Sequence, residues 1–175
     1  PAMLLILHAP FIFGYAKPVP VNFRMLRNPR PDMVLVAAAG PGMNLLLAAL
    51  AASAFHLIDD APVTVAAWLA ANLSNAVLIN VILAVFNLVP LLPLDGGRIL
   101  SGLLPRWLAV PYSRLEPYGM IILIGLLLVL PIVGDQIGVN LNFISNTVAA
   151  CTDTIIRVIL QLTGNASVAD ACCRM

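Results

Sequence analysis

The sequence predicts an all-α, polytopic membrane protein with about three to four spanning helices in its 175 residues. Its composition is 61% hydrophobic and 10% charged, whereas soluble globular domains carry roughly 25% charged residues. Charges are also absent from three long stretches of 26, 34 and 18 residues, at positions 33–58, 61–94 and 117–134. Because about 20 apolar residues cross the hydrocarbon core of a bilayer, two stretches are long enough to span it and the third is just sufficient.

The predicted spans follow these uncharged stretches in order: residues 33–57, 62–88 and 117–133. A fourth segment, residues 136–162, is dotted with asparagines and is predicted to be a weaker span or an interfacial helix. We expect one membrane-embedded core, residues 1–163, followed by a polar tail, residues 164–175. A net charge of +1 and 6% aromatic residues exclude nucleic acid as a partner, and nothing in the pattern indicates an oligomeric state.

A short extended segment or hairpin is predicted between Ala16 and Asn22, ahead of the first span. Pro18 and Pro20 alternate there with apolar residues, and each proline pushes the residue before it into extended backbone. Proline survives in sheets at their edges. An edge strand offers free backbone groups, so this segment could pair with an unwound substrate strand.

The basic residues indicate how the chain lies in the membrane. Loops 14–31 and 93–116 hold seven Lys and Arg residues, whereas the loops on the opposite side carry only Asp59, Asp60 and Asp135. By the positive-inside rule, both basic loops are expected to face the cytoplasm. We therefore expect an integral protein of the plasma membrane.

A helix break is predicted between Pro90 and Gly97, near the end of the second span. Pro90 and Pro93 each remove a backbone donor, and broken backbone at membrane depth must be buried in protein or line a watery cavity. Asp95 follows directly, and an intramembrane carboxylate is a candidate functional group. The alternative is a surface turn in which Asp95 caps the next helix or pairs with Arg98.

A second candidate is Asn44, which follows the small residues of Gly40-Pro41-Gly42 inside the first span. Its amide could donate to a substrate carbonyl or a developing oxyanion. It could equally form a hydrogen bond between packed helices, and composition alone favours that structural role.

Three blocks of sequence, in this order, resemble the site-2 protease family of intramembrane zinc metalloproteases (peptidase family M50), particularly its compact bacterial branch. They are F-G-Y-A-K-P-V-P-V-N at 13–22, A-G-P-G-M-N at 39–44 and N-L-V-P-L-L-P-L-D-G-G-R at 87–98. The third block is the most specific. The resemblance covers about residues 11–132.

The resemblance implies a zinc metalloendopeptidase that hydrolyses transmembrane segments of membrane proteins. One catalytic Zn²⁺ would be held by the two histidines of an H-E-x-x-H helix and by the aspartate matching Asp95, with the motif's glutamate as general base. The family's G-x-x-x-N block matches Gly40 and Asn44, which implies that Asn44 assists at the active site. Three protein ligands and one open position are what a catalytic zinc requires.

The sequence departs from the family in one respect, because its 175 residues contain no H-E-x-x-H. The family places this motif upstream of the A-K-P-V-P block, so we expect the chain to be the C-terminal part of a longer protein. Two other functions stay open: a non-catalytic relative that binds membrane proteins, and a small transporter or channel that uses Asp95.

Overall fold

The computed structural model describes residues 29–58, 62–137 and 142–165. Its α-helices are α1, Pro29–Ser53; α2, Val63–Asn87; α3, Asp95–Leu103; α4, Arg106–Ser113; α5, Gly119–Ile124; α6, Leu130–Ile137; and α7, Phe143–Leu162. A 3-10 turn, Ala54–Leu57, extends α1, and a π-helical turn, Gly125–Val129, joins α5 to α6. Within the described ranges there is no strand, which confirms the all-α prediction; the extended segment predicted between Ala16 and Asn22 lies outside them.

Four helical stretches are long and apolar enough to cross a membrane: Arg30–Leu57, Val63–Asn87, Arg106–Gly134 and Phe143–Leu162. They confirm an integral membrane protein. The first begins before the predicted start, so that Asp32 lies in the first turn of α1. The fourth falls within the segment whose asparagines predicted a weaker span, and its apolar window is the least hydrophobic of the four.

The core forms where α1, α2 and α7 pack against one another. Small residues of α1, Ala48 and Ala52, are fully buried, which lets the neighbouring helices approach its backbone closely. The cluster around them is completed by one residue of the 3-10 turn, three of α2 and two of α7: Phe55, Val77, Val81, Val85, Ile156 and Leu160. Because helix association in lipid depends on such packing, these residues fix the bundle that carries the site.

The C-terminal end of α7 lies beside the C-terminal end of α1. The buried amide of Asn165 donates to the carbonyl oxygen of Ala52 at 2.9 Å. Nε2 of His56 lies 2.6 Å from the carbonyl oxygen of Thr163, to which it donates when that nitrogen carries the proton. The two helices therefore run in the same direction, and His56 has a structural role at the shared end.

Candidate active site

The predicted helix break is present between α2 and α3. α2 ends at Asn87 and α3 begins at Asp95, so residues 88–94 form a connecting turn. Its backbone donors are used locally: the amide of Leu91 donates to the carbonyl oxygen of Val89 at 2.7 Å, and that of Leu94 to the oxygen of Leu91 at 2.9 Å. Local bonds of this kind let an irregular segment exist at membrane depth without lipid-facing donors.

Two glycines of α3 let this turn press against the helix that follows it. A Cβ added to Gly96 would collide with the carbonyl oxygen of Leu88, and one added to Gly97 would lie 2.6 Å from the carbonyl carbon of Leu91. Both glycines are buried. Close packing of the turn against α3 therefore requires glycine at both positions that follow Asp95.

The turn is held from its other side by the region after α3. The hydroxyl of Tyr112, on α4, donates to the carbonyl oxygen of Pro90 at 3.0 Å. Gly119, at the start of α5, sits so close that a Cβ there would collide with the carbonyl oxygen of Leu92. The turn is thus fixed on two sides, which holds the start of α3 in one position. Sequence reasoning missed Tyr112, because no local pattern links its hydroxyl to a carbonyl 22 residues earlier.

Asp95 is the first residue of α3, half-buried, and lies against α1. A Cβ added to Gly40 would be 3.1 Å from Oδ2 of Asp95, so the absent side chain of Gly40 makes room for the carboxylate. The contact brings together two blocks that are more than 50 residues apart in the sequence. The N-terminus of a helix also favours a negative charge at this point.

The carboxylate of Asp95 is not engaged in the structural roles considered from the sequence. The N-cap residue of α3 is Leu94, and Asp95 follows it as the first helical residue, so Asp95 does not occupy the capping position. Arg98 pairs instead with Glu116, at 3.7 Å between Nη2 and Oε1, in a partly exposed ion pair. Among the described residues none donates a hydrogen bond to Asp95, so its oxygens are available to a ligand.

Asn44 lies on α1 four residues after Gly40, one helical turn or about 6 Å further along the axis. Residues spaced by four share a helix face, so Asn44 belongs to the face that receives Asp95. Its side chain is half-buried and makes no hydrogen bond within the described part of the chain. The interhelical bond that composition favoured is thus not seen there, and the amide can serve a ligand.

A catalytic zinc needs three protein ligands, and at this site the described residues offer one candidate, Asp95. No group of three or more His, Cys, Asp or Glu side chains comes together in the part of the chain that the structure describes. His56 lies 16 residues beyond Gly40 on the same helical run, about 24 Å away along the axis. The unengaged carboxylate of Asp95 is suited to bind zinc, whereas His56 is too far from it to bind the same ion.

Comparisons with known proteins indicate which family the chain resembles. The family model described as "Peptidase family M50" matches residues 52–131, which include α2, the break and Asp95. A Bacillus subtilis (strain 168) protein named "Putative zinc metalloprotease YwhC" is 37% identical over 114 residues, or 63% of this chain and 52% of the relative. Over residues 52–131 the chain is similar to peptidase family M50. It spans about half the length of that relative, and no solved structure matches it.

The similarity to a family of zinc peptidases gives the contact between Gly40 and Asp95 a testable consequence. In a Gly40→Ala variant of the complete protein, the added methyl would be 3.1 Å from Oδ2 and must displace the carboxylate by a few tenths of an ångström. We expect zinc affinity to fall about tenfold, as for changes that misorient a ligand, with the fold retained. Zinc titration against a competing chelator measures this. Gly42→Ala is the control, since no atom lies within 4 Å of its added methyl; equal affinities in the two variants would contradict the placement of Asp95.

Proposed function

We propose that this chain is part of an intramembrane zinc metallopeptidase that hydrolyses peptide bonds in transmembrane segments of membrane proteins. The observation that carries the proposal is the unengaged carboxylate of Asp95, held at a helix break and against Gly40 in a chain similar to family M50. The printed name of the Bacillus relative, a zinc metalloprotease, supports the same reaction and the same metal.

In this proposal Asp95 is one of the protein ligands of a single catalytic Zn²⁺. A zinc ion so bound lowers the pKa of its water to about 7 and polarises the carbonyl of the scissile peptide. The H-E-x-x-H motif is absent from the 175 residues, so the histidine ligands and the glutamate base are assigned to polypeptide outside this sequence. The work of this chain is to hold the Asp95 carboxylate rigidly, through the turn that Gly96, Gly97 and Gly119 pack tightly.

Asn44 is proposed to bind the substrate beside that carboxylate. An amide one turn from Gly40 can donate a hydrogen bond to a substrate carbonyl oxygen as negative charge develops on it, and a preorganised donor of this kind is effective where water is scarce. Basic loops 14–31 and 93–116 are proposed to face the cytoplasm of a bacterial cell. That orientation places the Asp95 end of the bundle near the cytoplasmic surface.

The test of the Asn44 role separates catalysis from metal binding. The complete protein is reconstituted in liposomes with a panel of tagged single-span membrane proteins, and cleavage is followed on gels. We expect Asn44→Ala to cut at least about 100-fold more slowly, the usual effect of removing one oxyanion donor, with unchanged zinc content. Asn72→Ala is the matched control, because the Asn72 amide donates to the backbone of its own helix, to the oxygen of Trp68 at 2.8 Å.

Two results would count against the proposal. If the wild-type protein, loaded with zinc, cleaves none of the panel, a non-catalytic role becomes the better account. If Asn44→Ala and Asn72→Ala slow cleavage equally, Asn44 acts only in packing.

A further inference from the structure

The short helix α4 has one side against the bundle and one side outside it. On the inner side Ala109 is buried, and the hydroxyl of Tyr112 donates to the carbonyl oxygen of Pro90. The other side carries four exposed residues, two of them basic and two apolar: Arg106, Trp107, Val110 and Arg114. Spacings of three and four residues place them on one stripe, since Arg114 continues the helical conformation after α4 ends. We call these four residues the α4 outer face.

α4 lies near the surface of the bilayer. At the end of α3, a Cβ added to Gly102 would be 3.4 Å from the carbonyl oxygen of Arg30, which lies three residues before the first uncharged stretch. Tyr112 reaches Pro90, just after the end of α2. The spanning stretch Arg106–Gly134 has 29 residues, about 44 Å of helix against about 30 Å of hydrocarbon. Because the last 18 of these residues carry no charge, the part outside the hydrocarbon is the start, which is α4.

The two arginines of the α4 outer face have no counter-charge in the described part of the chain. The side chains of Arg106 and Arg114 form no ion pair or hydrogen bond there, and the nearby Glu116 carboxylate pairs with Arg98 at 3.7 Å. Arginine binds phosphate oxygens through two parallel hydrogen bonds. Tryptophan is enriched at membrane surfaces, where its ring meets lipid and its N–H meets water, and Trp107 is 73% exposed. The face thus combines the groups that suit a phospholipid.

We propose that the α4 outer face binds anionic phospholipids. Arg106 and Arg114 are eight residues apart, about 12 Å along the helix, so each donates to the phosphate of its own lipid. Trp107 and Val110, between them, pack against the upper parts of the acyl chains. A net negative headgroup is favoured because a zwitterionic lipid carries an ammonium group that the arginines repel. Each arginine beside a membrane surface favours anionic lipid about fivefold.

An acidic protein surface is the other partner that two arginines could attract. Such a surface offers no apolar cover for Trp107 and Val110, whereas a lipid covers the charged and the apolar residues at once. Phospholipid is also already present at the level of α4, so no further component is needed to occupy the face. The inference concerns lipid binding and is independent of whether the protein cleaves peptides.

The fluorescence of Trp107 tests the proposal, because this side chain lies on the face itself. The complete protein, with every other tryptophan replaced by phenylalanine, is reconstituted in phosphatidylcholine vesicles that contain a minority of phosphatidylglycerol. Quenching is compared between vesicles in which the same fraction of one lipid or the other carries bromine in its acyl chains. We expect phosphatidylglycerol to be enriched at Trp107 at least about fivefold. Arg106→Gln together with Arg114→Gln should remove this preference, whereas lysine at both positions should retain most of it.

Two controls separate this site from a general effect of charge. A protein with Trp68 as its single tryptophan, 65% exposed on α2, should show no preference between the lipids. Arg157→Gln, which removes an exposed arginine of α7, should leave the preference at Trp107 unchanged. Continued quenching by brominated phosphatidylcholine shows that the glutamine variants still fold into the bilayer. Equal quenching of Trp107 by both lipids, the same preference at Trp68, a preference that survives both glutamines, or no quenching by either lipid would each overturn the proposal.

Discussion

An Asp95→Asn variant of the complete protein is expected to bind zinc at least about 100-fold more weakly than the wild type. Changes to residues that merely orient a zinc ligand cost 10–100-fold in affinity, and loss of a ligand's charge should cost at least as much. Asparagine has nearly the same shape as aspartate, so the contact with Gly40 and the packing of α3 are retained. Zinc per protein after chelator dialysis, measured together with thermal unfolding in detergent, gives the result.

Glu116→Gln is the matched control for this change. Its carboxylate is 52% exposed and pairs at 3.7 Å with Arg98, which is three residues after Asp95. Exposed ion pairs contribute about 0–1 kcal/mol, so this variant should keep its zinc and its thermal stability. Asp95→Asn that retains wild-type zinc would remove Asp95 from the ligand set. Loss of zinc in both variants would point to a general electrostatic effect.

A Gly96→Ala variant is expected to lose on the order of 3 kcal/mol or more of stability. Its added methyl would collide with the carbonyl oxygen and carbon of Leu88 and press on the oxygen of Val89, all of them backbone atoms. Overpacking typically costs about 1–3 kcal/mol where side chains can move, and here the obstructing atoms belong to a turn that is held on two sides. Thermal unfolding of the complete protein in detergent measures the loss.

Gly42→Ala serves as the control for Gly96→Ala. It makes the same chemical change inside α1, where no atom lies within 4 Å of the new methyl. Alanine is favoured over glycine in helices by about 1 kcal/mol, so stability should stay the same or rise. Unfolding temperatures that agree between the two variants would show that the turn is not packed against α3 as closely as the structure has it.

The helix break and Asp95 could be predicted from sequence because their signals are local. Pro90 and Pro93 lack donors wherever they stand, and a carboxylate directly after a long uncharged run marks a candidate site. The partner of that carboxylate could not be predicted in the same way. Gly40 faces Asp95 only because α1 packs against α3, and neither packing nor register is encoded in a short pattern.

The same difference between local signals and long-range contacts explains why the sequence did not predict the Arg98–Glu116 ion pair or the placement of the charges in α7. Arg98 could have paired with Asp95 or Glu116 by composition, and only the course of the chain through α4 decides for Glu116. In α7, the uncharged stretch ends at Thr152, and the asparagines before that point predicted a weak span without regard to Asp153 and Arg157 beyond it. In the structure both side chains are exposed, and Asp153 borders a cavity that Leu78 and Ile82 of α2 also line.

The sequence therefore predicts individual candidate residues of the site, but it does not predict the complete set of zinc ligands. The resemblance implied roles for Asp95 and Asn44, and these roles remain proposals that rest on the similarity to family M50 and on the unengaged side chains. The chain covers 52% of its Bacillus relative, and the motif that would supply the other ligands is not among its 175 residues. A complete coordination sphere is thus beyond what this sequence can specify.

The most direct test of zinc ligation by Asp95 is the absorption spectrum of a cobalt-loaded Asp95→Cys variant of the complete protein. Thiolate is a good ligand for Zn²⁺ and for related divalent metals, and a cysteine bound to Co²⁺ gives a strong charge-transfer band in the near ultraviolet. We expect this band in Asp95→Cys and its absence in the wild type, which serves as the control for the three native cysteines, Cys151, Cys172 and Cys173. Asp95→Cys protein that binds Co²⁺ without the band would contradict the assignment of residue 95 to the metal.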